Sequence, residues 1–157
     1  MYKRQSQTTA ITRQVFGPLP TCATATGSLA AATNYQDIWW AVPPGSESGW
    51  GINFSHQGDT IFATWFTYAS DGAPLWLSVT APKTAPGTYS GTLYRTTGPP
   101  FDAMPFDSSR VMLAPVGNAT LTFAGGNEAT FAYSFEGVSQ VKAITRQVFR
   151  PPGTMCQ

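Results

Sequence analysis

One segment of the chain occurs twice. Ser6-Gln7-Thr8-Thr9-Ala10-Ile11-Thr12-Arg13-Gln14-Val15-Phe16 returns 133 residues later as Ser139-Gln140-Val141-Lys142-Ala143-Ile144-Thr145-Arg146-Gln147-Val148-Phe149, with nine of eleven positions identical. The match continues loosely through Pro18 and Pro20-Thr21-Cys22, answered by Pro151-Pro152 and Thr154-Met155-Cys156. An internal repeat sets the unit of folding before any motif is weighed. It divides the chain into a single repeat domain, residues 22–157, and a remnant of a preceding unit, residues 1–21, in which Met1 to Gln5 match nothing and read as a non-native start. One domain holds one slot for the repeated segment. The N-terminal copy is therefore expected either to lack order or to add to a sheet edge, including that of a neighbouring molecule.

Cys22 and Cys156 bracket the unit, and the termini of a domain tend to lie close together. A disulfide between them would close a loop of roughly 130 residues and contribute at most about 4 to 5 kcal/mol in the chain-entropy picture. The alternative is two buried, unpaired thiols. No CxxC occurs and His56 is the only histidine, so no metal site and no cofactor are expected. An even cysteine count at the domain edges points to an oxidising location, secreted or at the cell surface.

The composition suits strands and turns. Gly and Pro occupy 15 and 13 positions, while charged residues make only 11% of the chain, well under the roughly 25% of an average globular protein. A helical bundle or coiled coil is excluded. With nine basic and eight acidic residues scattered along the sequence, no stripe of charge suits nucleic acid or an anionic membrane. No apolar stretch is long enough for a spanning helix or a signal-peptide core, so no membrane insertion is expected.

Turn signals recur at short intervals: Gln57-Gly58-Asp59, Ser70-Asp71-Gly72, Pro86-Gly87, Gly98-Pro99-Pro100, Gly117-Asn118, Gly125-Gly126-Asn127 and Glu136-Gly137. Between them, segments rich in Thr, Val, Ile and aromatics predict strands over 37–42, 49–56, 60–69, 74–81, 88–96, 110–116, 119–124, 128–136 and 139–149. Ser28 to Thr33 suits a short helical turn. Trp50, Ile52, Phe54 and His56 alternate with small or polar residues, and so do Phe131, Tyr133 and Phe135, giving each segment one core face. Thr60 to Tyr68 carries Ile61, Ala63 and Trp65 on one face and Phe62, Phe66 and Tyr68 on the other, which predicts cover on both sides. Short strands in sequence order close most economically into an all-β antiparallel up-and-down barrel or a strongly curved sheet. A two-sheet sandwich is the alternative.

All five tryptophans, Trp39, Trp40, Trp50, Trp65 and Trp76, fall between residues 39 and 76. Adjacent Trp39 and Trp40 on a strand must point to opposite faces. Exposed indoles with few charges nearby suit stacking on a sugar ring or an apolar ligand. These five, with Glu47 and Tyr94, are the candidate ligand-binding residues. Gly49 and Gly51 allow close approach of backbone or ligand beside Trp50, and Glu47 is positioned to accept hydrogen bonds from ligand hydroxyls. The structural alternative is that the rings fill a barrel core, that Glu47 is a turn residue and that the glycines serve strand curvature.

His56 with Ser55, Asp59 and Glu47 invites a hydrolase reading, but no G-x-S-x-G elbow is present and a histidine beside Gln57-Gly58-Asp59 suits a solvated hairpin. No catalytic residue is assigned. Asp71-Gly72 reads as a hairpin turn, and Asp102 and Asp107 lack the spacing of a calcium loop. Asn118-Ala119-Thr120 matches a glycosylation sequon and also suits a turn. Arg95 and Arg146 fall among apolar residues, where the stem can pack and the head can pair with Asp37 or Glu47.

The segments Asn34 to Trp40, Glu47 to Asn53, His56 to Tyr68, Pro74-Leu75-Trp76, Tyr89 to Pro99 and Ala143 to Phe149 together resemble a tandemly repeated all-β domain of about 130 residues from the C-terminal regions of exported bacterial proteins. The resemblance covers residues 34 to 149 and implies an exported accessory module; it carries over no functional residue. The leading expectation is a secreted, non-enzymatic binding or adhesion module whose partners are a polysaccharide or cell-surface ligand and neighbouring units. The alternatives are a hydrolase using Glu47 and His56, and a structural spacer without a ligand.

Overall fold

Alternation of large and small side chains from Trp50 to His56 decides which side of the sheet curls inward. The computed structural model describes residues 8–157, so Met1 to Gln5 and the first two residues of the N-terminal repeat copy lie outside the described residues. Ten strands form: β1 (Cys22–Thr24), β2 (Asp37–Ala41), β3 (Gly51–Gln57), β4 (Thr60–Tyr68), β5 (Pro74–Ala85), β6 (Thr88–Thr97), β7 (Met112–Gly125), β8 (Glu128–Phe135), β9 (Val138–Arg146) and β10 (Thr154–Cys156). Strands β2 to β9 pair antiparallel in sequence order, and β9 returns to β2 through Trp39–Arg146 and Ala41–Ile144, closing an eight-stranded barrel. Closure satisfies every strand edge, and eight strands leave an interior just wide enough for side chains. The sandwich alternative is not adopted.

The interior is filled by Trp39, Ile52, Ile61, Leu77, Leu93, Leu121, Phe131 and Ile144, the largest side chains sealed from solvent. Each sits at an inward position of its own strand, so all eight strands contribute to one continuous core, which Trp50, Phe54, Trp65, Tyr89 and Phe123 extend along the barrel. The outward positions carry Asn53, Ser55, Ser78, Thr80, Ser90, Thr92, Asn118, Thr120 and Thr130, which alternate with the core residues along β3, β5, β6, β7 and β8. The two segments with the clearest alternation behave as their sequence predicts. Strand β4 departs from it: Ile61, Ala63 and Trp65 are buried, but Phe62 and Tyr68 on the other face are exposed.

Nine predicted strands become eight in the barrel because residues 112–125 form one strand. Gly117-Asn118, predicted as a turn, lies in the middle of β7. There Leu93 pairs with Gly117 and Tyr94 with Pro115, leaving Val116 as an extra residue. A side-chain carbon at Gly117 would overlap the carbonyl oxygen of Ser134. The glycine marks a bulge with close backbone approach, not a chain reversal. The sequon Asn118-Ala119-Thr120 accordingly lies within a strand, with Ala119 buried.

The barrel has two different ends. One carries the connections 42–50, 69–73, 98–111 and 136–137. The other is covered by chain from both termini, where β1 and β10 form a two-stranded ribbon in the register Cys22–Cys156, Ala23–Met155 and Thr24–Thr154. Cys22 and Cys156 are joined by a disulfide within this ribbon. Ser28 caps a 3-10 turn at Leu29–Ala31, whose Leu29 is buried beneath the ribbon. Arg146, inward at this end, spreads its guanidinium over four acceptors: Gly126 O at 2.9 Å, Gln36 O at 2.7 Å, Asn34 O at 3.1 Å and Asp37 Oδ2 at 3.2 Å. Burial lowers its pKa and Asp37 opposes that shift. The pairing with Asp37 agrees with the sequence reading, whereas Arg95 pairs with Glu136 rather than Glu47.

Candidate ligand-binding site

The connection 42–50 folds back on itself before entering β3. The Ser46 amide donates to Pro43 O at 3.0 Å and the Trp50 amide to Glu47 O at 3.1 Å. Lys142, inward near the loop end of β9, reaches Glu47 with its ammonium 2.6 and 2.8 Å from the two carboxylate oxygens. The same Nζ stands 5.6 Å from the centre of the Trp50 ring. Glu47 is thus engaged by an ion pair that straps the loop across the barrel mouth. Tyr133, whose hydroxyl donates to Gln140, lies nearby with its pKa raised, first by burial and then by the Glu47 charge.

Gly49 and Gly51 do provide close approach, but to rings of the protein itself. Gly49 has φ of 86°, a left-handed conformation that favours glycine, and the space where a side chain would begin holds the Tyr68 phenol. The Phe66 ring lies over Gly51, its register partner on β4. Phe66 is in turn opposite Trp76 on β5, with ring centroids 5.7 Å apart and planes tilted by 36°. Gly51, Phe66 and Trp76 therefore form one row across three strands on the outer surface. Trp76 is 63% exposed.

The next row, two residues along each strand, is polar. Asn53 pairs with Thr64, Thr64 with Ser78 and Ser78 with Tyr94. Residues two apart on a strand stand about 7 Å apart, so an aromatic track and a hydrogen-bonding track run side by side at the spacing of one small cyclic molecule. At the β2 edge of this surface, a pocket of about 260 Å³ lies under the 42–50 loop, lined among others by Ile38, Trp40, Glu47, Trp50, Phe66 and Gln147. Nε1 of Trp40 and of Trp50 is buried without a hydrogen-bond partner among the described residues.

The seven candidate residues separate on this geometry. Trp40, Glu47, Trp76 and Tyr94 belong to the outer surface or its pocket. Trp39, Trp50 and Trp65 are at most 7% exposed; Trp39 and Trp65 pack inside the barrel, and Trp50 meets the pocket only at one edge. Closure of the barrel thus turns three of the five tryptophans inward, and the rings left for stacking from outside are Trp40 and Trp76. Phe66 was not among the candidates. Its role follows from the β4–β5 register, which no local pattern in the sequence states.

His56 stands at the opposite end of β3 from Glu47, roughly 20 Å away for a seven-residue strand. Its Nδ1 accepts the Tyr35 backbone N–H at 3.0 Å, and its Nε2 faces the Tyr89 hydroxyl at 3.2 Å. Instead of a solvated hairpin residue, it is a buried part of the core. Burial lowers its pKa to about 4 and raises that of Tyr89 to about 12. Asp59 pairs with Lys83 at 3.1 Å, Asp71 accepts from the Ala73 amide in its turn, and Asp107 caps the 3-10 turn Ser108–Arg110. No group of three or more His, Cys, Asp or Glu side chains among the described residues is arranged to hold a metal ion, and no helix among them is long and apolar enough to cross a membrane. The chain matches no known family model, no curated protein and no solved structure.

Proposed function

We propose that the protein is an exported, non-enzymatic binding module that engages a polysaccharide or cell-surface glycan across the outer surface of β2 to β6. The observation that carries this reading is the row of Gly51, Phe66 and Trp76 beside the row of Asn53, Thr64, Ser78 and Tyr94. A pyranose ring has an apolar face of C–H groups and a rim of hydroxyls. The aromatic track suits the face, and the amide and hydroxyl track suits the rim. The low charge of the chain favours a neutral ligand over an ionic one. The disulfide supports an oxidising, extracytoplasmic location. An apolar interior with Ser, Thr and Asn facing outward is the reverse of the pattern that suits a lipid-facing barrel.

The hydrolase alternative draws no support from the geometry, since Glu47 is bound to Lys142 and His56 to Tyr35 and Tyr89 at the far end of β3. The test is titration of the protein with neutral oligosaccharides, followed by tryptophan fluorescence. Binding is expected to shift the emission, and Trp76→Ala is expected to abolish the response while the fold is retained. A broad glycan panel without any response would replace this reading with that of a structural spacer, and a response unchanged in Trp76→Ala would move the binding surface away from the Phe66–Trp76 row.

A further inference from the structure

The N-terminal copy of the repeated segment, residues 8–16 of which are described, adds to no sheet, and the closed barrel offers it no free edge. It is instead held by the Gln57 side chain and the Gly58 amide. The Gln57 carboxamide accepts from the Phe16 amide at 2.9 Å and the Gly17 amide at 3.2 Å, while its own Nε2 donates to Gln14 O at 3.1 Å. The neighbouring Gly58 amide donates to Pro18 O at 2.9 Å. Gln57 is only 6% exposed even though it lies at an outward position of β3, because residues 14–18 cover it. All four bonds go to main-chain atoms of the segment, so they read its backbone shape and not its side chains. One position is selective: a side-chain carbon at Gly17 would come within 2.7 Å of Gln57 O.

We propose that the Gln57–Gly58 corner is a docking site for the tail of a neighbouring repeat unit that carries glycine after its Gln-Val-Phe, and that residues 14–18 show how such a tail is seated. The occupant is a segment of the form Gln-Val-Phe-Gly-Pro. It is recognised because Ala10–Phe16 repeats the sequence Ala143–Phe149 with which this unit leaves its own barrel. The tail of this unit continues Gln147-Val148-Phe149-Arg150-Pro151, so arginine stands where the seated copy has glycine. Arg150 would meet the Gln57 backbone, so this tail is refused and the corner distinguishes one class of neighbouring unit from another. Successive barrels would then be joined through a main-chain clasp whose effective concentration is set by a short connection. This inference is independent of the glycan reading.

The test uses a chain shortened to residues 21–157. It retains all ten strands and the disulfide, and every buried apolar residue lies at Ala25 or later. A fluorescent peptide of residues 8–20 is expected to bind it saturably at one site. Loss of two or three neutral hydrogen bonds predicts that Gln57→Ala weakens binding at least about tenfold. Gly17→Val in the peptide is expected to do the same. A peptide of residues 141–153 is expected to bind poorly and its Arg150→Gly form to bind well. Absence of binding to the folded shortened chain, or binding indifferent to Gln57→Ala, would overturn the proposal. Should the shortened chain not fold, hydrogen exchange on the full chain decides. Gln57→Ala is expected to speed exchange of the Phe16 and Gly17 amides about tenfold with barrel amides unchanged, and equal rates would overturn the docking.

Discussion

The Tyr35 backbone N–H points at Nδ1 of His56 from 3.0 Å, so the imidazole proton resides on Nε2, 3.2 Å from the Tyr89 hydroxyl oxygen. A second proton would bring two N–H groups head to head inside the aromatic cluster of Tyr35, Tyr89 and Phe123. Burial lowers the pKa from 6.5 to about 4. Between these values the unfolded chain binds a proton that the folded chain refuses. Stability from this group is therefore complete above pH 6.5 and is lost as the pH falls towards 4, by roughly 3 kcal/mol. As the only histidine, His56 can be followed by NMR titration of its ring. Denaturant melts of His56→Gln should lack this component of the slope; an ordinary histidine pKa in the folded protein would contradict the account.

The tryptophans should divide by location. Truncating Trp39, fully buried inside the barrel beside Arg146, is expected to cost about 3 to 5 kcal/mol. Truncating Trp76, 63% exposed, should stay within about 1 kcal/mol. Chemical denaturation of the two alanine variants measures both.

Gly51 and Phe66 form a coupled pair. Gly51→Ala forces the Phe66 ring off its seat and is expected to cost about 1 to 3 kcal/mol, with a change in Trp76 emission because that ring packs on Phe66. In a double-mutant cycle with Phe66→Ala, most of the glycine penalty should vanish. Additive costs would show that the glycine serves the backbone instead.

The Cys22–Cys156 bond closes nearly the whole chain, with a separation of 134 residues. Replacing both cysteines by alanine is expected to lower the unfolding free energy by up to about 4 to 5 kcal/mol, read from the denaturation midpoint, while the far-UV spectrum is retained because the barrel strands lie between the cysteines. Mass spectrometry of the unreduced protein should find no alkylatable thiol. Two free thiols would refute the pairing.

Much of the barrel was legible in the sequence. Period-2 alternation from Trp50 to His56 and from Ala129 to Phe135 fixes the inward faces, and Gly58, Gly72, Gly87 and Gly137, each with positive φ, mark hairpins. Gly117 misled because a glycine between two apolar runs has the same appearance at a turn and at a bulge; only the neighbouring Ser134 backbone distinguishes them. The candidate site was legible in its residue types but not in its membership. Trp39 and Trp40 are chemically identical neighbours, and which of them faces the core depends on the register β2 takes between β3 and β9. Phe66 and Trp76 are ten residues apart and meet only through pairing of β4 with β5.

The repeated segment shows the division most directly. Ala143 to Arg146 is barrel strand, with Ile144 sealed in the core, whereas Ala10 to Arg13 has the same sequence, no regular structure, and Ile11 94% exposed. Local preference for extended chain is equal in the two copies. What differs is that Ile144 closes the barrel between Ala41 and Ala129, and once that slot is filled the other copy has no barrel edge to join. The sequence by itself determined two segments of equal strand preference and one cysteine-bracketed unit. Tertiary structure decided which copy is a strand, because burial and strand pairing are available to only one of them.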